Sequence, residues 1–303
     1  MKYAAYTGTR NMYHKMIPSI KSLLINSDVN KIYLLIEDDI FPEYLPPEVE
    51  IINVSDQNFF KPDTPNMQSQ FTYMAMMRIA LCHVLPGYID KVLVLDSDTI
   101  INRNISHLWD LNIGDNYFAA APETHKTNNG FLYCNIGVTL YNLAELRKGK
   151  ADEIIDVLNR RKYTWVEQDV NNFLCQGRIF EISGEYNANS WTQHGDNPYV
   201  WHYAGIADWI NMPLVQYYMD IPWDNIRRSV WIPCTEHLPK DQTRKAVQVT
   251  NGWIITAWYD GEDGNWYAVP EIYDENNCLM TLDDAGYNVI AWRELPEEFG
   301  YEY

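Results

Sequence analysis

Positive charge is scarce in this chain. Its 303 residues carry 23 Lys and Arg against 41 Asp and Glu, a formal net charge of -18. No broad basic surface is therefore available to track a phosphate backbone, and no nucleic acid partner is expected. An acidic protein that handles an anionic small molecule must concentrate positive charge locally, through a metal ion, a few basic side chains or helix N-termini. Cysteine is also sparse. Cys82, Cys134, Cys175, Cys234 and Cys278 are odd in number and lack C-x-x-C spacing, which reads as reduced thiols, buried or inert. Absent too are an apolar run of 18 residues, an internal repeat, a low-complexity linker and, after Met1, the long apolar core of a signal peptide. The expectation is a cytoplasmic protein with no integral membrane segment. In that compartment the sequons Asn53-Val54-Ser55 and Asn104-Ile105-Ser106 are turn or helix-start residues.

What is present is a well-stocked core. Hydrophobic residues make up 47% and aromatics 14% of the chain, enough for one large domain and a small one. Tyr3 to Thr7 and Lys31-Ile32-Tyr33-Leu34-Leu35-Ile36 read as strands, and Ile17, Ile20, Leu23, Leu24 and Ile25 recur between them at helical spacing. That strand-helix-strand unit begins a parallel sheet. Val49 to Val54 is a third strand, and Met74 to Leu85 is a helix with Arg78 near its middle. The fourth strand, Lys91-Val92-Leu93-Val94-Leu95, ends abruptly in Asp96-Ser97-Asp98-Thr99. Further strands are expected at Tyr117 to Ala121 and Val138 to Leu143, with helices at Ala144 to Asn159 and Glu167 to Gln176.

Open α/β sheets bind ligands beyond the carboxyl ends of their strands. Thr7-Gly8-Thr9-Arg10-Asn11 and Asp96-Ser97-Asp98 should both lie on that edge. Two acids one residue apart repel each other unless a cation neutralises them, and hard divalent cations prefer oxygen ligands. Such a pair serves metal-dependent sugar transfer, or a haloacid-dehalogenase-type phosphatase, or is a solvated turn. The phosphatase pattern follows the first strand of its domain, whereas here three strands precede Asp96. His202, in Trp201-His202-Tyr203-Ala204-Gly205, could complete an oxygen and nitrogen ligand set or be a structural histidine.

In order along the chain stand Phe71-Thr72-Tyr73 with Arg78, Val94-Leu95-Asp96-Ser97-Asp98-Thr99, Cys134-Asn135-Ile136-Gly137-Val138, Glu167-Gln168-Asp169 and His202-Tyr203-Ala204-Gly205. This series resembles the family 8 retaining glycosyltransferases, in the branch of bacterial lipopolysaccharide galactosyl- and glucosyltransferases, over roughly residues 3 to 225. The resemblance implies a GT-A fold, that is, an α/β Rossmann-like nucleotide-diphospho-sugar transferase domain. It also implies a UDP-sugar donor (UDP-galactose or UDP-glucose), a saccharide acceptor, and Mn²⁺ or Mg²⁺. By position Asp96, Asp98 and His202 match metal ligands. Thr7, Thr9, Asn11, Arg78, Ser97, Asn135, Gly137 and Gly205 match donor-site positions. Gln168 and Asp169 match the pair facing the sugar's reacting carbon, with helix capping as the bland alternative for Asp169.

Two positions depart from the family pattern. Asp208 stands where a diphosphate-binding lysine is usual, and Arg10 where an acid is usual. Arg10 is accordingly expected to supply the charge that Asp208 does not. If neither does, the expectation is a catalytically weak UDP-sugar binder.

The domain expected at 1–228 is followed by one at 229–303. From Trp231 to Tyr303 there are 14 acids and 4 bases, with Trp231, Trp253, Trp258, Trp266 and Trp292 and short alternating runs. A small acidic, mainly β accessory domain is expected, similar to a tryptophan-rich domain of unknown function, its aromatics chiefly packing a core. The similarity rests on Trp231-Ile232-Pro233, Leu238-Pro239 and Ala291-Trp292-Arg293-Glu294-Leu295-Pro296.

Overall fold

The computed structural model describes residues 1–67, 73–127, 130–229, 232–235, 238–250 and 253–294. Phe71, Thr72, Trp231, Leu295 and Pro296, which carry part of the two resemblances, lie outside the described residues. The chain divides into two compact units, Met1–Ile221 and Pro222–Tyr303, ahead of the boundary expected at 228/229.

In the first unit, short β-branched and leucine-rich runs alternate with helices, and each run becomes a strand. These are β1 (Tyr3–Thr7), α1 (Tyr13–Ile25), β2 (Lys31–Ile36), β3 (Val49–Asn53), α2 (Tyr73–Val84) and β4 (Lys91–Leu95), then β5 (Thr99–Ile101), β6 (Phe118–Pro122) and β7 (Cys134–Asn142). After them come α3 (Leu143–Glu145), α4 (Ala151–Arg160), α5 (Val166–Leu174), β8 (Ile179–Glu181), β9 (Val200–His202) and α6 (Pro213–Asp220). Seven strands form one sheet in the order β3-β2-β1-β4-β7-β6-β8. β1 pairs parallel with β2 and with β4, so the order reverses between β1 and β4, and Thr7 and Asp96 stand at that switch point.

β4 is buried on both faces, with Val92 to Leu95 at most 1% exposed, which is why it reads as an unbroken apolar run. β7 pairs antiparallel with both β4 and β6, making the sheet mixed. The helix expected over 144–159 is interrupted. Gly149 adopts φ 107 between α3 and α4, a conformation that glycine reaches without steric cost. β5 and β9 form a separate two-stranded ribbon, each strand three residues long and too short for its periodicity to show.

The second unit comprises α7 (Trp223–Ser229) and the antiparallel sheet β10-β14-β11-β12-β13, made of β10 (Ile232–Pro233), β11 (Lys245–Val249), β12 (Ile254–Asp260), β13 (Asn265–Ala268) and β14 (Val289–Glu294). Val247, Ala257, Tyr259, Trp266, Leu282 and Trp292 make its core. Trp258 stacks on Tyr267 at 4.7 Å, while Trp253 is 60% exposed beside Tyr287.

Among the thiols Cys82, Cys134 and Cys175 are buried, and burial pushes each up to about 12, whereas Cys278 is exposed rather than buried. No helix among the described residues is long and apolar enough to cross a membrane.

The end of α2 is closed from outside by one side chain. Arg147 donates from Nε to Cys82 O (2.8 Å), from Nη1 to Gly87 O (3.3 Å) and Ile89 O (2.7 Å), and from Nη2 to Leu85 O (3.1 Å) and Pro86 O (3.1 Å). A guanidinium has five N–H donors, and here they meet one carbonyl in the last turn of α2 and four in the segment that follows it, where positive charge is favoured. R147A should lower the unfolding free energy by about 3 kcal/mol, and R147K by roughly half of that, in urea titrations.

Candidate active site

The turn after β4 is set by the main chain before any ligand is considered. Asp96 N donates to Gly137 O at 2.8 Å, and both Thr99 N (3.2 Å) and Thr99 Oγ1 (2.7 Å) return to Asp96 O. Behind it a buried hydroxyl series runs from Thr99 Oγ1 to Ser19 Oγ and on to Tyr6 OH, each step 3.0 Å, and anchors the turn to α1 and β1. The chain then enters β5, whose partner β9 places His202 opposite Thr99. Tyr203 N donates to Asp98 O at 2.9 Å and fixes the crossing.

This ribbon brings the two acids and the histidine together. His202 Nε2 lies 3.4 Å from Asp96 Oδ2 and 3.3 Å from Asp98 Oδ1. One ligand atom from each of the three residues falls within 4.8 Å of the others, a spacing one divalent cation can bridge. His202 Nδ1 lies 2.7 Å from Asn187 Oδ1. An amide oxygen only accepts, so Nδ1 carries a proton, and Nε2 is the ring atom that faces the acids. Burial opposes ionisation of Asp98, but His202 beside it and Arg78 farther off outweigh burial and hold its carboxyl below the usual range. The donor set therefore fits a divalent metal.

Arg78 is not a surface residue. It is 9% exposed, its guanidinium contacts Asp96 Oδ1, and Nη1 donates to Ile136 O at 3.2 Å. Its Nε faces Glu167 Oε1 at 3.9 Å, and burial raises the Glu167 pKa against the pull of Arg78. Gly137 passes directly beneath the site. A Cβ there would overlap His202 Cε1 and lie 2.8 Å from Asp96 Oδ2, so only glycine lets β7 approach so closely.

Asn135 and Gln168 converge on a residue that sequence reading missed, Glu123, which is 2% exposed. Glu123 Oε1 accepts from Asn135 Nδ2 at 3.2 Å and from Gln168 Nε2 at 3.1 Å, while Lys126 Nζ lies 2.9 Å from Oε2. Gln168 Oε1 accepts from Ile136 N at 3.3 Å. Asp169 Oδ1 accepts from Tyr133 OH at 2.6 Å and Oδ2 from Trp165 N at 2.9 Å, so both of its oxygens are engaged and the capping contact is real. No local spacing marks Glu123, Tyr133 or Asn187, because each is recruited across strands.

The loop after β1 is arranged differently from expectation. Arg10 forks onto Asp38, with Nε to Oδ2 and Nη2 to Oδ1 both at 2.7 Å, and its side chain is 69% exposed. The charge expected to meet a diphosphate is thus already paired, and the cation beside Asp96 is Arg78. Thr9 Oγ1 donates to Asn11 Oδ1 at 2.5 Å, Thr7 ends β1, and Ser97 is half-buried between the acids. Gly205 has φ 76, and a Cβ there would come within 3.0 Å of the Trp191 ring. Asp208 is exposed and accepts from Asn211 Nδ2 at 2.7 Å. At the carboxyl ends of β6 and β8 opens a cleft of about 470 Å³, lined by Pro122, Thr124, Glu181, Ser183, Glu185 and His194 among others.

The first unit thus joins a mixed α/β sheet to a carboxylate-imidazole cluster at the sheet's switch point. The family model "Glycosyl transferase family 8" matches residues 13–207, and the chain belongs to that family. It is similar to glycosyltransferase GlyE of Streptococcus pneumoniae, 27% identical across 49% of this chain and 39% of that protein. It is also similar to glycosyltransferase GlyD of the same organism, 25% identical across 98% of this chain and 38% of that one. The chain thus spans about two fifths of the length of these curated relatives.

Among solved structures, GlyE superposes with a TM-score of 0.58 at 21% identity over 82% of this chain and 67% of its own. The galactosyltransferase LgtC, solved with donor and acceptor sugar analogues, gives 0.56 at 17% identity over 74% of this chain and 98% of its own. The fold is GT-A, and the phosphatase reading of Asp96 and Asp98 falls away with the family match.

Because Gly137 leaves no room above it, G137A should push the His202 ring from the acids. Mn²⁺ affinity by calorimetry is expected to fall at least about tenfold while urea unfolding stays cooperative. Native affinity in G137A would show that the ring does not serve the metal.

Proposed function

We propose that this chain carries a metal-dependent retaining hexosyltransferase, moving galactose or glucose from a UDP-sugar to a saccharide acceptor. The observation that carries the reading is the convergence of Asp96, Asp98 and His202 Nε2 at the sheet's switch point in a family 8 chain. A divalent cation held there, Mn²⁺ or Mg²⁺, supplies charge neutralisation for the departing diphosphate.

The chain's own groups do the rest. Thr7, Thr9 and Asn11 stand at the β1 edge to receive the nucleoside, with Ser97 near the ribose and Gly205 in the turn beyond His202. Arg78 orients Asp96 and adds a fixed positive charge beside it. Asn135 and Gly137 form the floor under the donor sugar, and Gly137 permits the close approach. Gln168, braced by Glu123 and Ile136 N, is placed to hold the donor hydroxyls in one orientation.

Asp169 has both oxygens engaged, so its part is a fixed negative charge facing an oxocarbenium-like carbon rather than an attacking oxygen. As the bond from the anomeric carbon to UDP breaks, the acceptor hydroxyl oxygen bonds that carbon on the face UDP leaves, and the hydroxyl proton passes to the departing phosphate oxygen. The acceptor enters on the side of the cleft lined by Thr124, Glu185 and His194. A cytoplasmic setting and an accessory role for the Trp-rich unit complete the proposal.

A second reading, a catalytically weak UDP-sugar binder, has one observation in its favour. Arg10 is paired with Asp38 and Asp208 is acidic, so diphosphate contacts are fewer than the family pattern supplies.

Calorimetry with UDP, with and without Mn²⁺, followed by mass spectrometry of UDP-galactose and UDP-glucose hydrolysis, separates the two readings. Mn²⁺-dependent UDP binding that D96N reduces at least about 100-fold, together with donor turnover, is expected of the enzyme. Binding without turnover leaves the second reading, and no Mn²⁺-dependent binding overturns both.

A further inference from the structure

We propose that Asn187 is a positioning residue that keeps a proton on Nδ1 of His202 and sets the orientation of its ring. Through Asn135 it ties that ring to the Glu123–Gln168 network. The inference rests on the metal-site reading above for its consequence but not for its geometry.

Asn187 is completely buried and no ligand role falls to it. Its main chain is pinned on both sides. Asn187 N donates to Gly184 O at 2.9 Å, and Asn187 O accepts from Thr192 Oγ1 at 2.7 Å and Asn189 Nδ2 at 3.0 Å. The following residue, Ala188, lies alongside β9: Ala188 N donates to Val200 O and His202 N donates to Ala188 O, both at 2.9 Å. The side chain therefore starts from a fixed backbone, one strand spacing from the imidazole.

The polarity of the contact is set by main-chain groups that have only one role. Asn187 Nδ2 lies 3.1 Å from Asn135 O and 3.0 Å from Asn135 Oδ1. The carbonyl Asn135 O can only accept, so the Asn187 group facing it is the NH₂. The identity of Asn135 Oδ1 is fixed in turn, because it accepts from Gly137 N at 3.0 Å while Asn135 Nδ2 donates to Glu123 Oε1. Turning the Asn187 amide over would set its oxygen against two acceptors. The oxygen must then face His202 Nδ1, and it can only accept there. Nδ1 is therefore the protonated, hydrogen-bonded nitrogen, and Nε2 is the one left facing Asp96 and Asp98, free to serve a cation held between them.

A buried amide that only filled space would need an equal volume and nothing more. One that orients the ring needs an acceptor at Oδ1, and the two roles separate on substitution. N187L keeps the volume and removes the acceptor. N187D keeps the acceptor at His202 but sets its second oxygen against Asn135 O and Oδ1, so it tests the acceptor through the Nδ1 signal and not through affinity.

Selective ¹⁵N-histidine labelling should find Nδ1 of His202 protonated and hydrogen-bonded in the native chain and in N187D, and that hydrogen bond lost in N187L. Mn²⁺ titration should show affinity reduced roughly 10- to 100-fold in N187L. A native His202 without a proton on Nδ1 would overturn the inference, as would N187L binding Mn²⁺ like the native chain, or N187D losing the Nδ1–H hydrogen bond. Native protein that binds no Mn²⁺ at all counts against the metal reading alone. The Nδ1 signal then still decides the role of Asn187.

Discussion

Two carboxylates one residue apart at the end of a buried strand cannot both stay ionised without positive charge in reach. Most of the first unit's site is arranged around that demand. Arg78 comes from the middle of α2 to Asp96, and His202 comes from the far side of the chain to both acids. Main-chain hydrogen bonds finish the turn and fix the backbone that carries the carboxylates. Because β4 is covered on both faces, the strand cannot slide to relieve the repulsion. A one-residue slip would draw Asp96 into the core. The charges must be met where they stand.

That constraint explains what was readable in the amino-acid sequence. The strand and its acids announce themselves because an apolar run buried on two sides has no polar interruptions and its end is abrupt. Arg78, His202, Asn135, Gly137, Gln168 and Asp169 were legible through ordered motifs, and the fold brings them together. Glu123, Tyr133 and Asn187 were not, since their contacts join β6, β7, α5 and the approach to β9, and pairing across strands leaves no local period. The β5–β9 ribbon was invisible for the same reason, although it is what delivers His202. The break at Gly149 was missed because a single glycine in a helical pattern does not say whether it will be tolerated or exploited.

The charge reversal at Arg10 and Asp208 looked in sequence like an exchange between the two ends of a nucleotide site. In space each is settled locally, Arg10 by Asp38 and Asp208 by Asn211. A guanidinium already forked onto a carboxylate loses that pairing when it turns to phosphate, so its net contribution to an anion is smaller than that of a free cation. On the proposed function, neutralisation falls to a cation held by Asp96, Asp98 and His202 and to Arg78. An acidic chain with few basic side chains is driven to the same arrangement, a positive charge held by acids rather than supplied by them.

The polar network beneath the site follows from the same economy. Asn135, Asn187, Glu123 and Gln168 occupy ground that apolar side chains could fill with less desolvation. Each group in the series accepts or donates in a direction forced by its neighbour, beginning from the carbonyl of Asn135 and the N–H of Gly137. An apolar filling would pack as well but would leave the His202 ring free to turn and to place its proton on either nitrogen. The buried amides exchange some stability for a single orientation of one lone pair. That exchange makes sense only where the lone pair is used, between Asp96 and Asp98.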